Sequence, residues 1–469
     1  MAFLIGGANS AADTGYNVDN SIRFNGPDNS NLTQTSSGTP TNRRKCTVSF
    51  WIKHDCKSGN QCLIQGTDDS GANSYFQFEL TDVGIDIQLR DGSGATYIRR
   101  GTKGKRIFRD PSAWYHFVVR FDSTEGSAGD RFRVYINGTQ DPLGGSDDTG
   151  TVDSNYDFVL TKDSMPIAVG SNVAGGGDWS GYMAELVCID GDSLAPTSFG
   201  EFDEDSPTIW KPIDVSGLTF GTNGFYCDFE DSGDLGDDES GNTNDFTENN
   251  LAAADQAVDT PTNNFATLNP LIFNAEAPTF SEGNCKFVAT AGSNFEKTTG
   301  TIAVSTGKWY WEAKMAATLT AHFVGVQTTN AAYDADEPMY VAGTTTFKNN
   351  DGGEIRTGAS ETTADYGTFD ATEIFGIALD MTAGSYGQFT IYKDNSAIAS
   401  NIDLSSTTGD GFITPFVAGY SSTIAVNFGG CPGFAITSAA ADANGYGTFE
   451  FAPPSGYYAL CTKNLAKYG

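Results

Sequence analysis

NRRKCTVSFWIKHD (42–55) decides the fold of this chain. Within it Val48, Phe50 and Ile52 alternate with residues of other kinds, so an extended backbone places these three apolar side chains on one face. A period of two over this length predicts a β-strand that lies against a core. The same pattern recurs on both sides of this stretch, and the prediction for the whole chain follows from it.

The first 210 residues contain a series of such strands separated by turn-rich segments. Asn137-Gly138 predicts a type I′ hairpin, because both residues tolerate the positive φ angles of that turn. Strands at this spacing are typical of an antiparallel sandwich. Besides the first stretch, the main predicted strands are YFQFELTD (75–82), GIDIQLRDG (84–92), WYHFVVRFDS (114–123), RFRVYINGT (131–139) and GYMAELVCIDG (181–191).

A second set of strands follows residue 280. STGKWYWEAKM (305–315) places Trp309 and Trp311 on one face, and the stretches 374–384 and 386–397 predict a hairpin. The chain has 469 residues, 55 of them glycine, and 12% are aromatic, which favours pleated sheets with tight turns over helices. We therefore predict an all-β protein with two antiparallel sandwiches, at residues 1–210 and 281–469.

An acidic connector at 211–280 is predicted between the two sandwiches. From Pro212 to Cys285 there are fourteen acidic residues and no Lys or Arg. Aromatic residues are spaced between the acids, so we expect an ordered segment that packs against both sandwiches. The net charge of −32 argues against broad nucleic-acid binding, which needs a basic face.

The eight cysteines have irregular spacing and include no CxxC pair, which argues against a zinc cluster. Cys188 lies in an apolar run and predicts a buried thiol, whereas Cys56 and Cys62 flank a short loop and are candidates for a disulfide. The amino-terminal residues have no basic segment typical of a signal peptide, and no apolar run reaches the roughly 20 residues of a membrane span. We expect synthesis in a cytoplasm with reduced thiols.

The order VSFWIKHD (48–55), WYHFVVRFDS (114–123), RFRVYINGTQ (131–140), IAVGSN (167–172) and GYMAELVCIDG (181–191) resembles a laminin-G-like, concanavalin A-like lectin domain. In the second set, GKWYWE (307–312), FGIALDM (375–381), YKDN (392–395), VNFGG (426–430) and PPSGYYAL (453–460) resemble a SPRY domain. Both sets, together with the connector and LAPTSFGEFDEDS (194–206), are similar to the forms found in virion proteins of tailed phages.

This resemblance implies a non-enzymatic virion structural protein, made in a host bacterial cytoplasm and displayed as a fibre, tail appendage or capsid decoration. Its implied partners are other virion proteins, further copies of itself, and a host-surface glycan or receptor, with neither nucleic-acid binding nor membrane insertion. One alternative is a glycoside hydrolase that uses the acids near 201–205, namely Glu201, Asp203 and Asp205. Another is a purely architectural cement protein.

Three groups of residues are candidates for binding sites. Trp179 and Tyr182 follow a glycine-rich loop and suggest stacking on a sugar, with core packing as the alternative. Asp228, Glu230 and Asp231 suggest a calcium site, because calcium takes six to eight oxygen ligands, with a solvated loop as the alternative. A basic cluster suggests docking to an acidic partner, with a solvated hairpin loop as the alternative; it consists of Arg99, Arg100, Lys103, Lys105, Arg106 and Arg109.

Overall fold

The structure is a computed structural model. The chain divides into two compact units: the first unit is Thr14–Thr262, and the second unit is Asn263–Gly469 together with Met1–Asp13. The residues that the structure describes are 4–5, 15–67, 74–90, 97–103, 105–146, 148–274, 277–290, 294–316, 322–331, 339, 341–349, 353–358, 360–361, 366–367, 369–404 and 411–469.

Short strands and tight turns make up the first unit, as its alternating sequence requires. After β1 (Leu4–Ile5), which belongs to the second unit, the strands are β2 (Ser21–Phe24), β3 (Asn31–Thr35), β4 (Lys45–His54), β5 (Gln61–Thr67), β6 (Tyr75–Thr81), β7 (Gly84–Arg90), β8 (Tyr97–Gly101), β9 (Trp114–Asp122), β10 (Phe132–Ile136), β11 (Thr139–Asp141), β12 (Pro166–Val169), β13 (Gly181–Asp190), β14 (Gly200–Phe202), β15 (Trp210–Pro212), β16 (Phe225–Cys227), β17 (Thr247–Asn249) and β18 (Gln256–Ala257). Single 3₁₀ turns occupy Gly26–Asp28, Ala128–Asp130, Pro196–Ser198 and Ala253–Asp255.

Two antiparallel sheets form a sandwich in this unit. Among the described residues, one sheet has eight strands in the order β11-β10-β9-β4-β13-β2-β18, with β16 also paired to β13. The other has seven, in the order β17-β3-β12-β5-β6-β7-β8. The hairpins predicted from sequence are confirmed: β6 pairs with β7, and Asn137 and Gly138 join β10 to β11 with φ angles of 47° and 73°. Of the predicted strand 84–92, residues 91–92 lie outside the described part.

Strand β4 lies near the middle of the eight-stranded sheet. Val48, Phe50 and Ile52 are completely buried in the core between the sheets, as their alternation predicts. The intervening side chains of Trp51 and Lys53 are also buried, at 3% and 1% exposure. Because neither face of β4 meets solvent, another layer of chain must cover the side of the sheet that faces away from the core.

That third layer comes from the residues that follow β13. Phe199, Val215 and Phe220 pack with Val187 and Tyr226 in a second apolar cluster on the outer face of the sheet. Strand β16 extends the same sheet from β13, and β18 extends it from β2. Fully burying a large apolar side chain is worth roughly 1.5–3 kcal/mol, so this layer contributes to the stability of the first unit.

A buried ion pair fixes the end of the third layer. The Lys53 ammonium lies 2.6 Å from the Asp259 carboxylate, and their side chains are 2% and 1% exposed. The Trp114 indole N–H donates to the other Asp259 oxygen at 3.2 Å, and the Ser21 hydroxyl donates to the Asp259 carbonyl at 2.7 Å. These bonds compensate the cost of taking both charges out of water.

Strands of the second unit follow, together with one helix. They are β19 (Thr279–Ser281), β20 (Lys286–Val288), β21 (Glu296–Thr299), β22 (Ile302–Ala303), β23 (Lys308–Met315), β24 (His322–Thr328), β25 (Thr344–Lys348), β26 (Glu354–Thr357), β27 (Ser360–Glu361), β28 (Ile374–Asp380), β29 (Gln388–Lys393), β30 (Ser396–Asp403), β31 (Ile413–Gly419), β32 (Thr423–Asn427), β33 (Tyr458–Ala459) and α1 (Thr462–Tyr468).

The second unit is also a sandwich. In its described part, an eight-stranded sheet runs in the order β19-β20-β32-β23-β28-β29-β30, with β33 parallel to β23. A six-stranded sheet runs in the order β21-β31-β24-β25-β26-β27, and β1 pairs with β22. Trp309 and Trp311, which were predicted to share one face of a strand, both lie in the core. The predicted hairpin of β28 and β29 forms, and Asp394 and Asn395 turn the chain into β30 with positive φ angles.

The boundary between the compact units lies at Thr262, inside the predicted connector. Residues 211–262 belong to the first unit, where they supply β15 to β18 and much of the third layer. Residues 263–280 belong to the second unit, and 275–276 lie outside the described part. The acidic segment is therefore divided between the units, because its aromatic and strand-forming residues complete the first sandwich.

None of the eight cysteines, all of which the structure describes, forms a disulfide. The suggested Cys56–Cys62 disulfide is absent: Cys62 is buried on β5, while the Cys56 thiol donates to the Arg109 carbonyl at 3.2 Å. Cys188 is fully buried in the core, as its apolar surroundings predict.

Removing one partner of the Lys53–Asp259 pair is expected to destabilise the first unit. Lys53→Met leaves the Asp259 carboxylate buried without its cation, which costs about 3–5 kcal/mol in such cases. Chemical denaturation followed by tryptophan fluorescence measures the free energy of unfolding. Lys211→Met, which removes a more exposed lysine from the same unit, is the control and should change it little. An equal effect of the two substitutions would contradict a locking role for the buried pair.

Candidate functional site

The predicted sugar-stacking residues lie inside the first unit. Trp179 is completely buried and packs on Phe24 with ring centroids 5.4 Å apart. Tyr182 is 2% exposed, and the Lys53 ammonium lies 5.9 Å from its ring centroid. A ring must expose a face to stack on a sugar, so the structure corrects this prediction in favour of core packing for both residues.

The predicted calcium ligands use their carboxylates in turns. Asp228 Oδ1 accepts the Glu230 N–H at 2.9 Å, and Asp231 Oδ1 accepts the Gly233 N–H at 2.8 Å. Burial raises the pKa of Asp228 and also, with the nearby Asp228 charge, that of Glu230. Within the described ranges, no three His, Cys, Asp or Glu side chains come together as a metal site. The three residues are thus not gathered as ligands, and calcium binding stays a prediction.

Asp238 organises this acidic segment from its centre. Its Oδ1 accepts the backbone N–H groups of Tyr226 and Ser240, at 2.8 and 3.0 Å. Its Oδ2 accepts the Ser240 hydroxyl and the Asn244 N–H, both at 2.8 Å. The amide of Asn242 donates to the carbonyls of two residues near the start of β16. Hydrogen bonds from these protein donors therefore hold the segment on the first unit.

Asp238→Ala should loosen the acidic segment, because four donors lose their acceptor. We expect protease cleavage between residues 228 and 262 to accelerate several-fold, as followed by mass spectrometry of the fragments. EDTA should leave cleavage of the unmodified protein unchanged. Asp237→Ala, which removes a neighbouring carboxylate, is the control. Acceleration by EDTA equal to that caused by Asp238→Ala would favour a bound cation instead.

The basic cluster is largely neutralised within the first unit. Arg99 forms a two-pronged pair with Asp86, Arg100 lies 3.0 Å from Asp148, and Arg106 lies 3.2 Å from Asp141. Of the other residues in the cluster, Lys105 donates from its ammonium to a backbone carbonyl at 3.4 Å. Arg109 is exposed, and Lys103 is half-buried. Docking of an acidic partner here stays a prediction, with fewer uncommitted charges than the sequence suggests.

The acids considered for glycoside hydrolysis lie on a separate hairpin of β14 and β15. The Lys211 ammonium sits 3.4 Å from Glu201 and 3.3 Å from Asp203. Asp203 also accepts the backbone N–H groups of Asp205 and Ser206. Glu201 and Asp205 are exposed, and the hairpin belongs to neither sheet of the sandwich.

A buried carboxyl that the sequence did not reveal lies at a bulge in β13. Between Ala184 and Val187 the strand contains one residue more than β4, and Glu185 takes a φ angle of 52°. The hydroxyls of Tyr16 and Tyr226 lie 3.1–3.3 Å from its carboxyl oxygens. Burial, together with the nearby charge of Asp228, raises the pKa of Glu185 to about 8. Near neutral pH, Glu185 is mostly protonated.

Glu185 makes the stability of the first unit depend on pH. The folded protein holds a proton on this group that the unfolded chain releases above its ordinary pKa of 4.5, so stability falls as pH rises from about 4.5 to about 8. Glu185→Gln should reduce the slope in this window by at most about 1.4 kcal/mol per pH unit. Denaturant titrations between pH 5 and 9 measure it. The exposed-residue control Glu204→Gln should keep the slope, and an unchanged slope in Glu185→Gln would contradict the assignment.

An open polar pocket of about 360 Å³ lies elsewhere on the first unit. It is lined by Arg43, Ser74, the run DSNYD (153–157) and Val159. Of the lining residues, Val159 and Tyr156 are buried, whereas Asp153, Asn155 and Asp157 are exposed. Its volume falls in the range of roughly 300–1,000 Å³ that ligand sites occupy.

Backbone hydrogen bonds hold the pocket loop in place. The Phe158 N–H donates to the Arg43 carbonyl at 2.6 Å, and the Arg43 Nε donates to the Phe158 carbonyl at 3.0 Å. The Asn155 N–H donates to the Ser123 carbonyl at 2.9 Å, and the Ser123 hydroxyl donates to the Tyr156 carbonyl at 2.7 Å. Binding to such a preformed loop loses little conformational entropy.

No local sequence pattern predicts the pocket, because the residues that line it are far apart in the chain. Arg43 precedes β4, Ser74 precedes β6, and the run 153–157 follows β11. The only local signal was that run itself, in which acids, Ser, Asn and Tyr share one turn. Only the folding of the sandwich shows that Arg43 faces it.

The comparisons with known proteins agree with the fold of the first unit. A family model described as the concanavalin A-like lectin/glucanases superfamily matches residues 25–191. Residues 25–191 form a laminin-G/concanavalin A-like lectin domain. This lectin domain includes every residue that lines the pocket. No curated protein sequence matches the chain.

Similar solved structures include pentraxin, SPRY and laminin domains. A pentraxin of Limulus polyphemus is 18% identical over 39% of this chain and 80% of that chain, with a TM-score of 0.26. The SPRY domain of human HERC1 is 14% identical over 35% and 97%, with a TM-score of 0.28. Domains LG4-5 of the mouse laminin alpha1 chain are 12% identical over 87% and 84%, with a TM-score of 0.30. The two-sandwich architecture itself follows from the sheets of the two units.

Proposed function

We propose that this protein is a non-enzymatic structural component of a tailed-phage virion that binds carbohydrate on the host surface through its lectin domain. One observation carries the binding part of the proposal: the matched region 25–191 contains a preformed polar pocket. Other virion proteins and further copies of this chain are its proposed neighbours.

The chemistry of the pocket suits a ligand rich in hydroxyl groups. The carboxylates of Asp153 and Asp157 accept hydrogen bonds from hydroxyls, the Arg43 guanidinium donates them, and Ser154 and Asn155 do both. Bonds that involve a charged partner are roughly twice as strong as neutral ones, which offsets the water that a sugar loses on binding. Polar lining residues of this kind recognise the positions of hydroxyl groups on a ligand rather than the size of its apolar parts.

The virion assignment rests on the sequence phrases that resemble phage proteins in both units and in the acidic segment. Among the described residues, no helix has the length and apolar character of a membrane span. The hydrolase alternative draws no support from the acids near 201–205, because Lys211 pairs with Glu201 and Asp203 while Asp205 is exposed. The cement alternative shares the virion location but lacks carbohydrate binding.

Mass spectrometry of purified particles tests the virion assignment, and a glycan array probed with the full chain tests binding. We expect the protein in the particles at a copy number of several or more, and retention on the array when it is multivalently displayed. Its absence from particles would contradict the virion role. Presence in particles without retention of any glycan would favour the cement protein.

A further inference from the structure

We propose that the pocket formed by Arg43, Ser74, residues 153–157 and Val159 selects neutral sugars over acidic or amino sugars. This inference rests on the proposed carbohydrate-binding function and adds the class of ligand. It derives from the charges around the pocket and from the partners that those charges already have.

The charged groups at the pocket are already balanced against each other. An Asp157 carboxylate oxygen lies 3.8 Å from the Arg43 guanidinium, and the other lies 3.8 Å from that of Arg44. The lining holds two carboxylates, Asp153 and Asp157, and one guanidinium, Arg43; counting Arg44, which contacts Asp157 from outside the lining, the charges are two of each sign. The site therefore has no surplus of either sign, and a charged ligand would have to displace an existing partner.

The pairing distances leave hydrogen-bonding capacity for a neutral ligand. At 3.8 Å the contacts with Asp157 are ionic but longer than a hydrogen bond, so its oxygens retain room to accept from hydroxyls. Arg43 commits its Nε to the Phe158 carbonyl, and its terminal N–H groups remain donors toward the pocket. A hydroxyl that bridges Arg43 and Asp157 from the pocket side can bond to both and leaves the ion pair in place.

The net charge of the whole chain also disfavours the binding of acidic sugars. The net charge of −32 repels a uronic or sialic acid before it reaches the pocket, although salt screens this beyond roughly 8–10 Å. An amino sugar is attracted at long range, but at Asp157 it must compete with both guanidinium groups. A neutral sugar meets neither obstacle.

From the residues that line the pocket, we expect one site alone to bind a sugar weakly. Tyr156 is 7% exposed and packs edge-on against Phe121, so no broad aromatic face is offered for stacking. Binding therefore depends on polar contacts at a partly exposed surface, where each contributes little. Repetition of such sites on a particle would raise the overall affinity through multivalency.

Saturation-transfer NMR with the full chain provides the test. The probes are methyl glycosides of glucose, galactose and mannose, the matching uronic acids, and the matching 2-amino sugars. We expect at least one neutral glycoside to show at least a fivefold larger response than its acidic and amino counterparts. Equal or larger responses from a charged series would overturn the inference of neutral selectivity while supporting carbohydrate binding.

Three variants assign the response to the pocket. Asp157→Asn removes the negative charge of one hydrogen-bond acceptor. Ser154→Tyr fills the pocket with a larger side chain and leaves its charged residues in place. Both should lower the response to the best neutral probe at least fivefold, whereas Glu204→Gln, with the same change in net charge as Asp157→Asn, should not. Circular dichroism verifies that each variant is folded.

The outcomes separate this inference from the proposed function. Neutral-sugar binding that survives both pocket variants would place the site elsewhere and overturn the inference, while carbohydrate binding itself would stand. Binding of no probe here, together with no retention on the glycan array, would contradict both.

Discussion

The central strands β4 and β13 of the eight-stranded sheet in the first unit are buried on both faces, and the rest of that unit is arranged to satisfy this constraint. Strand β4 presents Val48 and Phe50 to the sandwich core and Trp51 and Lys53 to the other side. An apolar outer face left in water would be an association surface. The segment after the lectin strands covers it instead, and the buried pair of Lys53 with Asp259 fixes where that segment ends. What resembles a connector in sequence is structurally a third layer.

The same constraint explains how so acidic a segment adopts a compact form. Its carboxylates accept hydrogen bonds from nearby backbone N–H groups, as Asp238 does for Tyr226 and Asn244, which ties the chain into successive turns. Where a carboxyl is enclosed, as at Glu185, burial favours the protonated form and removes a charge. The second unit solves a similar problem with Glu312, whose buried carboxylate accepts the N–H groups of Glu450 and Phe451. Acidic side chains thus act as structural acceptors in both units.

The strands and hairpins were predictable because they depend on local chemistry. Alternation in β4 and the positive φ angles available to Asn137-Gly138 require no knowledge of distant residues. Candidate site residues were less predictable, because their function depends on exposure. Trp179 follows a glycine-rich loop in sequence, yet its ring is enclosed beside Phe24, whereas the pocket joins Arg43 to a run more than a hundred residues away. No local pattern records whether a side chain faces solvent or a second layer.

By itself, then, the sequence determined the all-β class, the two sandwiches, the main hairpins and the resemblance that points to a virion. Periodicity and turn chemistry act over a few residues, so they can be read directly from the chain. Tertiary structure alone decided that the acidic segment divides at Thr262, that Asp259 neutralises Lys53, and that a polar pocket opens at residues 153–157. These features depend on contacts between segments that are far apart in the chain. Burial and charge pairing arise only from those contacts, so a local pattern does not show them.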